Sequence, residues 1–285
     1  MSRLLAVLHN CITWPASWHY ACSLAYAFTH APLSRLFLPL YIRLYAVDLN
    51  EAALPLSDYP TIAALFQRDL KAGLRPFCRA KDAFCSPVDG IVVSQGVLQQ
   101  GQLLQAKGES YSLADILANE TAASYFGNGS FIVIYMPAGA YHKVHSPLRA
   151  HIVHADFIPG RHFALHRLSR LHTHRLYARN TRQITYLHYS GSTGDGQPAT
   201  GVCALVQVAS MLVGSIQNTF SVEEANRAER YLQRGELLGG FNFGSTIILL
   251  LPPGAVELDP DLLDRTIQVG QCIGKLNLSV GSGGS

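Results

Sequence analysis

Residues 241–251 read FNFGSTIILLL, and the last five of them form the strongest apolar run in the chain. Short runs rich in β-branched and large apolar residues, bounded by turn residues such as Gly244, are typical of β-strands. The run therefore predicts a strand that begins near Ser245. It also places a serine hydroxyl and a glycine at the point where that strand starts.

Other runs of the same kind precede it, separated by turns. They read GIVVSQGVL at 90–98, SFIVIYM at 130–136, AHIVHADFI at 150–158, QITYLHY at 183–189 and VCALVQVASMLVGSI at 202–216. Helices are predicted at 61–71, 112–119 and 259–264. No strand–helix–strand rhythm with a glycine-rich phosphate loop is present, which disfavours a dinucleotide-binding fold. No internal repeat is apparent. The pattern predicts an α+β fold with a mostly antiparallel β core and peripheral helices.

The composition narrows the functional classes. The chain has 285 residues, of which 48% are hydrophobic and 14% charged, and its net charge of +3 is too small to indicate a nucleic-acid partner. Six cysteines without a CxxC pair disfavour zinc, and free thiols are expected. We predict no metal site, because His142 and His145 have no further ligands at suitable spacing. The final GSGGS resembles a flexible linker and carries no functional argument.

The first 47 residues pose a membrane question. No apolar run there reaches the roughly 18 to 20 residues that span a bilayer. Both tryptophans of the chain lie in this segment, with other aromatic residues and several arginines, a mixture that suits helices lying in the membrane interface. The alternative is that these helices pack on the protein's own core or on a partner subunit. Prolines at 55 and 60 mark a boundary, so we predict an N-terminal interfacial helical segment at 1–55 and a catalytic domain at 56–285.

Three short segments contain residue types that perform catalysis. They are SPVDG at 86–90, YHKVHSP at 141–147 and FGST at 243–246. Asp89, His145 and Ser245 could form a system in which an acid orients a base and the base activates a hydroxyl. Each segment alone also has an ordinary explanation as a turn, a core residue or a strand start. The serine lacks the G-x-S-x-G elbow of α/β-hydrolases, so residue type and order leave the reaction open.

Taken together, SPVDG, YHKVHSP and FNFGSTIILL resemble phosphatidylserine decarboxylases of the bacterial membrane-associated type. The resemblance runs from about residue 36 to about residue 278. Supporting stretches are LQAKG at 104–108, LYARN at 176–180 and VGSI at 213–216. The short Gly-Ser-Thr element becomes specific through its occurrence with the other two segments.

The resemblance implies a self-cleaving precursor. His145, oriented by Asp89, would deprotonate Ser245, and the serine oxygen would attack the carbonyl of Gly244. Cleavage between Gly244 and Ser245 would give a β chain, 1–244, and an α chain, 245–285, with Ser245 converted to a covalent pyruvoyl cofactor. That group would take the amine of phosphatidylserine as a Schiff base and act as an electron sink while CO2 leaves. The resemblance assigns decarboxylation and reprotonation to His142.

The same resemblance implies the partners and the location. The substrate would be phosphatidylserine and the product phosphatidylethanolamine. The protein would lie on the cytoplasmic face of the cell membrane, and two copies would form a dimer of αβ units. One departure is Ala164, where a small polar residue is expected in a substrate-contacting loop. The arginine- and histidine-rich run at 161–175 is either a solvated face or a contact for lipid phosphate.

Two alternatives remain open at this stage. A membrane-bound serine hydrolase would use Asp89, His145 and Ser245 on an ester without splitting the chain. A non-catalytic membrane-interface scaffold would bind lipid through its first 47 residues and neither split nor release CO2.

Overall fold

The computed structural model describes residues 17–104, 110–192, 198–210, 216–242 and 244–277. The tail with GSGGS lies outside this part of the chain. The helices are α1 Ser17–His30, α2 Leu38–Tyr45, α3 Ile62–Phe66, α4 Leu113–Leu117, α5 Glu120–Phe126, α6 Arg167–His172, α7 Leu176–Arg179 and α8 Val222–Arg227, with 3-10 turns at Pro32–Phe37, Leu56–Asp58 and Pro260–Leu262.

The strands follow in chain order. They are β1 Ala83–Cys85, β2 Gly90–Val97, β3 Gln102–Leu104, β4 Ser110–Ser112, β5 Ser130–Met136, β6 Lys143–His145, β7 Ala150–Ile158, β8 Arg182–Ser192, β9 Pro198–Ala209, β10 Ile216–Asn218, β11 Arg230–Leu232, β12 Leu237–Phe241, β13 Ser245–Leu251, β14 Val256–Leu258, β15 Thr266–Ile267 and β16 Cys272–Leu276.

Eight strands form one large sheet in the order β11-β7-β8-β9-β13-β5-β2-β15. All neighbours in it are antiparallel. Strand β13 lies near the centre, paired with β9 on one edge and β5 on the other, and all seven of its residues are buried. Burial on both faces explains why its sequence is continuously apolar rather than alternating. The predicted strand at Ser245 and the mostly antiparallel α+β fold are confirmed.

The large sheet is the middle of three layers. Helices α4, α5 and α7 cover one face, packing residues such as Ile116, Phe126 and Tyr177 against it. Two three-stranded sheets, β1-β16-β14 and β10-β12-β6, cover the other face through residues such as Val144 and Ile273. The peripheral helices and the small sheets thus bury opposite sides of the same central strand.

The strands repeat one topology twice, although no repeat is apparent in the amino-acid sequence. We call β1, β2, β5, β13, β14, β15 and β16 the outer half, and β6 to β12 the inserted half. In both halves the first strand pairs with the seventh, which are β1 with β16 and β6 with β12. The second strand pairs with the third and the sixth, which are β2 with β5 and β15, and β7 with β8 and β11. The fifth strand pairs with the seventh, which are β14 with β16 and β10 with β12. The third strand pairs with the fourth in both, and the fourth strands, β13 and β9, pair with each other. The large sheet is therefore symmetric about the β9–β13 pair.

The turns of the two halves match in detail. The Oγ of Ser86 and the Oγ of Ser146 each donate to the carbonyl two residues on, both at 2.7 Å. The amide of Ser86 donates to the Gln271 carbonyl and that of Ser146 to the Glu236 carbonyl, both at 2.8 Å. What the sequence retains of this repeat is a Ser-Pro pair at 86–87 and 146–147 and a Gln-x-Gly at 268–270 and 233–235.

The inserted half interrupts the connection between β5 and β13. The chain crosses from the outer half into the inserted half between β5 and β6, through residues 137–142, and returns between β12 and β13. Ser245 therefore stands at the end of the return crossing, and His142 at the end of the first one. The topology brings together two segments that are about one hundred residues apart in sequence.

The N-terminal helices have an apolar cluster of their own. Leu38 and Tyr41 of α2 pack with Ile62, Leu65 and Phe66 of α3, so the cluster spans both sides of the predicted boundary at 55. Among the described residues, no helix is both long enough and apolar enough to cross a membrane.

Two of the three predicted helices exist but are shorter than expected, and the third is replaced by a 3-10 turn. α3 ends at Phe66 rather than residue 71, because residues 69–71 bond in extended form to residues 51–53. The helix predicted at 112–119 is reduced to α4, which is followed by a left-handed residue, Ala118. The segment 259–264 contains only the 3-10 turn Pro260–Leu262.

Candidate active site

Ser245 is fully buried at the first position of β13. Its Oγ donates to Sδ of Met136, its cross-strand partner on β5, at 3.1 Å. Because side chains alternate along a strand, Ser245 lies on the same face as Ile247 and Leu249, which pack against the small sheets. The hydroxyl thus faces the layer that contains β6 and β12. A thioether is a weak acceptor, so the hydroxyl is only loosely engaged.

Gly244 leaves room beside the peptide bond that precedes Ser245. A Cβ built on it would meet no atom within 4 Å. By contrast, a Cβ on Gly90 would come within 2.6 Å of the Tyr135 carbonyl oxygen. The side-chain position of Gly244 is therefore open, apart from its two neighbours in the chain.

His142 is almost completely buried, with 1% of its surface exposed. Its Nδ1 donates to the Ala140 carbonyl at 2.9 Å. A carbonyl only accepts, so Nδ1 carries the proton and Nε2 has the lone pair. Nε2 is buried without a hydrogen-bond partner, and the ring lies 3.9 Å from that of Phe66. Burial lowers the pKa of His142 to about 3, which keeps the imidazole neutral at neutral pH.

Met136 connects His142 with Ser245. Its sulfur contacts the serine hydroxyl. Its backbone is close enough to His142 to raise the pKa of the imidazole, against the larger effect of burial. The carbonyl of His142 also accepts from the amide of Phe241, four residues before Ser245. The two crossings therefore meet, and they place His142 beside the start of β13.

His145 has different partners. Its Nδ1 donates to the Gly235 carbonyl at 2.8 Å, and its Nε2 accepts from the Tyr141 hydroxyl at 3.0 Å. The rings of Tyr141 and His145 are stacked, with centroids 5.7 Å apart. Burial, followed by the nearby charge of Lys143, lowers the pKa of His145, although the Gly235 bond and Asp89 oppose this. The imidazole is therefore neutral at neutral pH, with Nε2 as its basic atom.

Asp89 is bound by other groups than His145. Its carboxylate accepts from Nε and Nη2 of Arg75, at distances down to 2.6 Å, and from the amide of Val269 at 2.8 Å. Arg75 also bridges to Glu51. Within the described part of the chain, no hydrogen bond joins Asp89 to His145. Asp89 does raise the pKa of His145 through its charge.

The predicted residues thus form two groups. His142 and Ser245 have Met136 as a common neighbour, and the charge of Asp89 acts on His145. Among the described residues, no hydrogen bond joins His145 to Ser245, whose hydroxyl is directed at Met136. The catalytic roles assigned to the four residues remain predictions.

Sequence reasoning missed the residues that hold these groups in place. Tyr141 lies inside the YHKVHSP segment at 141–147, so it was available there as a candidate partner of His145. Arg75 and Met136 had no such signal, because they reach Asp89 and Ser245 through contacts between distant parts of the chain.

Comparison with known proteins identifies a family. The family model described as phosphatidylserine decarboxylase matches residues 62–275. A phosphatidylserine decarboxylase proenzyme of Geobacillus sp. (strain WCH70) is 32% identical, over 87% of this chain and 90% of its own. Proenzymes of the same description from Brevibacillus brevis and Marinobacter nauticus are 35% and 32% identical, over 80% and 84% of this chain and 83% and 85% of their own.

The buried imidazole of His142 predicts a loss of stability in acid. Its pKa is about 3 when folded and about 6.5 when unfolded, so the unfolded chain binds the extra proton between these values. Stability therefore falls as the pH drops from 6.5 toward 3, by about 1.4 kcal/mol per pH unit from this residue. Replacing His142 by Phe should remove this contribution to the dependence of the free energy of unfolding on pH.

The measurement is urea unfolding between pH 7 and pH 4, with and without His142→Phe. Both proteins carry Ser245→Ala, which keeps the chain continuous if Ser245 mediates cleavage. Equal slopes in the two proteins would show that His142 takes up its proton in the folded state.

Proposed function

Because the chain belongs to the phosphatidylserine decarboxylase family, we propose that it cleaves itself between Gly244 and Ser245 and then converts phosphatidylserine to phosphatidylethanolamine and CO2. The observation that carries the proposal is the position of Ser245. Its hydroxyl is buried at the start of a central strand, after a glycine whose side-chain position is open, and it contacts Met136, whose backbone acts on His142.

Maturation would begin with Oγ of Ser245 attacking the carbonyl carbon of Gly244. The peptide C–N bond breaks and an ester forms at Oγ. Loss of the α-proton then breaks the Cβ–Oγ bond and releases Gly244 as a carboxylate, and water replaces the nitrogen of residue 245, which leaves as ammonia. His145 is the proposed base, since its Nε2 has the lone pair. To take the serine proton, Nε2 must exchange the Tyr141 hydroxyl for that of Ser245.

Asp89 would support this base through its charge. A carboxylate near His145 stabilises the imidazolium that forms when Nε2 takes a proton, and Asp89 does raise the pKa of His145. In the arrangement described, the Gly235 carbonyl holds the Nδ1 proton. We therefore propose that Gly235 fixes the orientation of the ring while Asp89, fixed by Arg75, supplies the charge.

The residues around position 245 fit a pyruvoyl group. Ser245 supplies the atoms, and His142, which has Met136 as a neighbour in common with Ser245, presents an unpaired Nε2. Such a group would supply a ketone for the substrate amine and a neighbouring carbonyl that withdraws electrons as CO2 leaves.

His142 would act as the proton carrier during turnover. Its neutral Nε2 can take a proton from the substrate, and it can return one to the carbon that has lost CO2. The low pKa favours the return, because a protonated imidazole in this buried position is a strong acid.

The N-terminal helices support a membrane location. From Leu24 to Leu44 they expose a series of large apolar side chains, with Leu36 exposed by 74%, among the cations Arg35 and Arg43. A large exposed apolar surface marks an interaction site. We propose that it contacts the cytoplasmic face of the cell membrane, where the substrate is found, and that the enzyme is a dimer of αβ units.

Replacing Ser245 by Ala should abolish both chain splitting and CO2 release. A denaturing gel should show a single chain of full length, and phosphatidylserine in detergent micelles should yield no CO2. Ser124→Ala, which removes an exposed hydroxyl on α5, is the matched control and should split and react normally.

Two results would contradict the proposal. One is a Ser245→Ala protein that still splits at 244/245. The other is an unsplit wild-type chain that a fluorophosphonate labels at Ser245, which would favour the serine hydrolase.

Charging the exposed apolar surface should weaken membrane binding. Leu36→Glu and Leu40→Glu together should reduce cosedimentation with vesicles of phosphatidylserine and phosphatidylcholine several-fold. Each change removes apolar surface that the membrane would bury and adds a negative charge that anionic lipid repels. Leu263→Glu, at an exposed leucine outside the N-terminal helices, is the control. Equal binding by all three proteins would refute the proposed surface.

A further inference from the structure

Arg68 is a buried cation that forms no ion pair with a described residue, and the charges of Glu51 and Asp89 act on it only from a longer distance by raising its pKa. Its exposed fraction is 3%. It donates from Nη2 to the Gly139 carbonyl at 2.7 Å and from Nη1 to the Leu65 carbonyl at 3.5 Å, and its Nε has no hydrogen-bond partner. Among the described residues, no carboxylate lies within the 4.0 Å of an ion pair with it.

Such an arrangement is costly unless an anion completes it. A buried charge that is not paired carries a desolvation penalty of several kcal/mol, and burial does lower the pKa of Arg68. Arginine nevertheless remains protonated at neutral pH. Its planar fork of N–H donors matches the oxygens of phosphate groups. The unused donors of Arg68 therefore indicate a place for an oxyanion.

Two neighbours also have unsatisfied polar atoms. The hydroxyl of Tyr59 is buried without a partner, as is Nε2 of His142. Both residues interact electrostatically with Arg68. Buried polar atoms are nearly always paired in folded proteins. Three unpaired atoms in one region are explained together if a ligand binds there.

The loop at 137–140 arranges these residues in order. Three successive carbonyls, those of Ala138, Gly139 and Ala140, accept hydrogen bonds from Tyr41, Arg68 and His142 respectively. Tyr41 belongs to α2, which also exposes Leu40 and Leu44. Arg68 therefore lies between the helix with the exposed apolar surface and the histidine beside Ser245.

We propose that Arg68 and Tyr59 form a subsite for the phosphodiester of the substrate head group. The inference rests on the proposed function. In a serine phospholipid, the phosphorus is separated from the amine-bearing carbon by a methylene and an oxygen, and the acyl chains extend from its other side. A site between the apolar helix face and His142 matches that order.

The substrate carboxylate is the less suitable occupant. An ion pair with Arg68 would stabilise the carboxylate in the ground state, and that charge is lost as CO2 leaves, so the pair would raise the barrier. The phosphodiester keeps its charge throughout the reaction. Binding it would hold the substrate without opposing the chemistry.

The test compares two substrates in mixed detergent micelles. One is phosphatidylserine, and the other is a neutral analogue in which a carbonate ester replaces the phosphodiester. Arg68→Gln should raise KM for phosphatidylserine about tenfold to a hundredfold, the loss expected for hydrogen bonds to a charged group, and leave KM for the analogue unchanged. Arg265→Gln, which removes an exposed arginine, should alter neither value.

Inorganic phosphate provides a second readout. It should inhibit the wild-type enzyme competitively, and Arg68→Gln should weaken that inhibition. If Arg68→Gln does not fold, Arg68→Lys keeps the charge without the fork and should raise KM for phosphatidylserine to a smaller extent. An equal loss on both substrates, or no loss on either, would overturn the subsite.

The intact mass of each variant separates this inference from the proposed function. Arg68→Gln should split at 244/245 like the wild type. A wild-type protein that splits but releases no CO2 from phosphatidylserine would refute the function. An active wild type with an unaffected Arg68→Gln variant would refute the subsite alone.

Discussion

The structure depends on the double pairing of β13. This strand has hydrogen-bonded neighbours on both edges and apolar layers on both faces, so its first residue cannot shift without disturbing the core. Ser245 is thereby held at a fixed point beside Met136. The same pairing would allow the chain to tolerate the proposed break just before this residue. Strands β13 to β16 belong to two sheets, and their hydrogen bonds there would retain them without a covalent link to Gly244.

The internal repeat accounts for the location of the proposed catalytic groups. The inserted half lies between β5 and β13 of the outer half. The first crossing between the halves ends at His142, and the second ends at Ser245. The position of His145 in the inserted half is occupied by Cys85 in the outer half, since each pairs with the residue two positions after the glycine of its Gln-x-Gly turn. The proposed catalytic groups thus lie where the two halves join or differ.

The sequence allowed the strands with clear patterns to be predicted, and β5, β7 and β13 have the predicted bounds. The motif residues Asp89, His142, His145 and Ser245 were also identified. The repeat was missed because only a few turn residues retain it. The partners of Asp89 and the burial of Arg68 could not be predicted, because a sequence without an alignment shows neither which distant segments meet nor how deeply a charged residue is buried.

The intact mass of the purified wild-type protein tests the central claim most directly. We predict two chains, residues 1–244 and 245–285, with the smaller one lighter by one ammonia than an unmodified fragment and reactive toward a hydrazide at its N-terminus. A single chain of unmodified full-length mass, in a preparation that releases CO2 from phosphatidylserine, would contradict the claim that Ser245 becomes the cofactor.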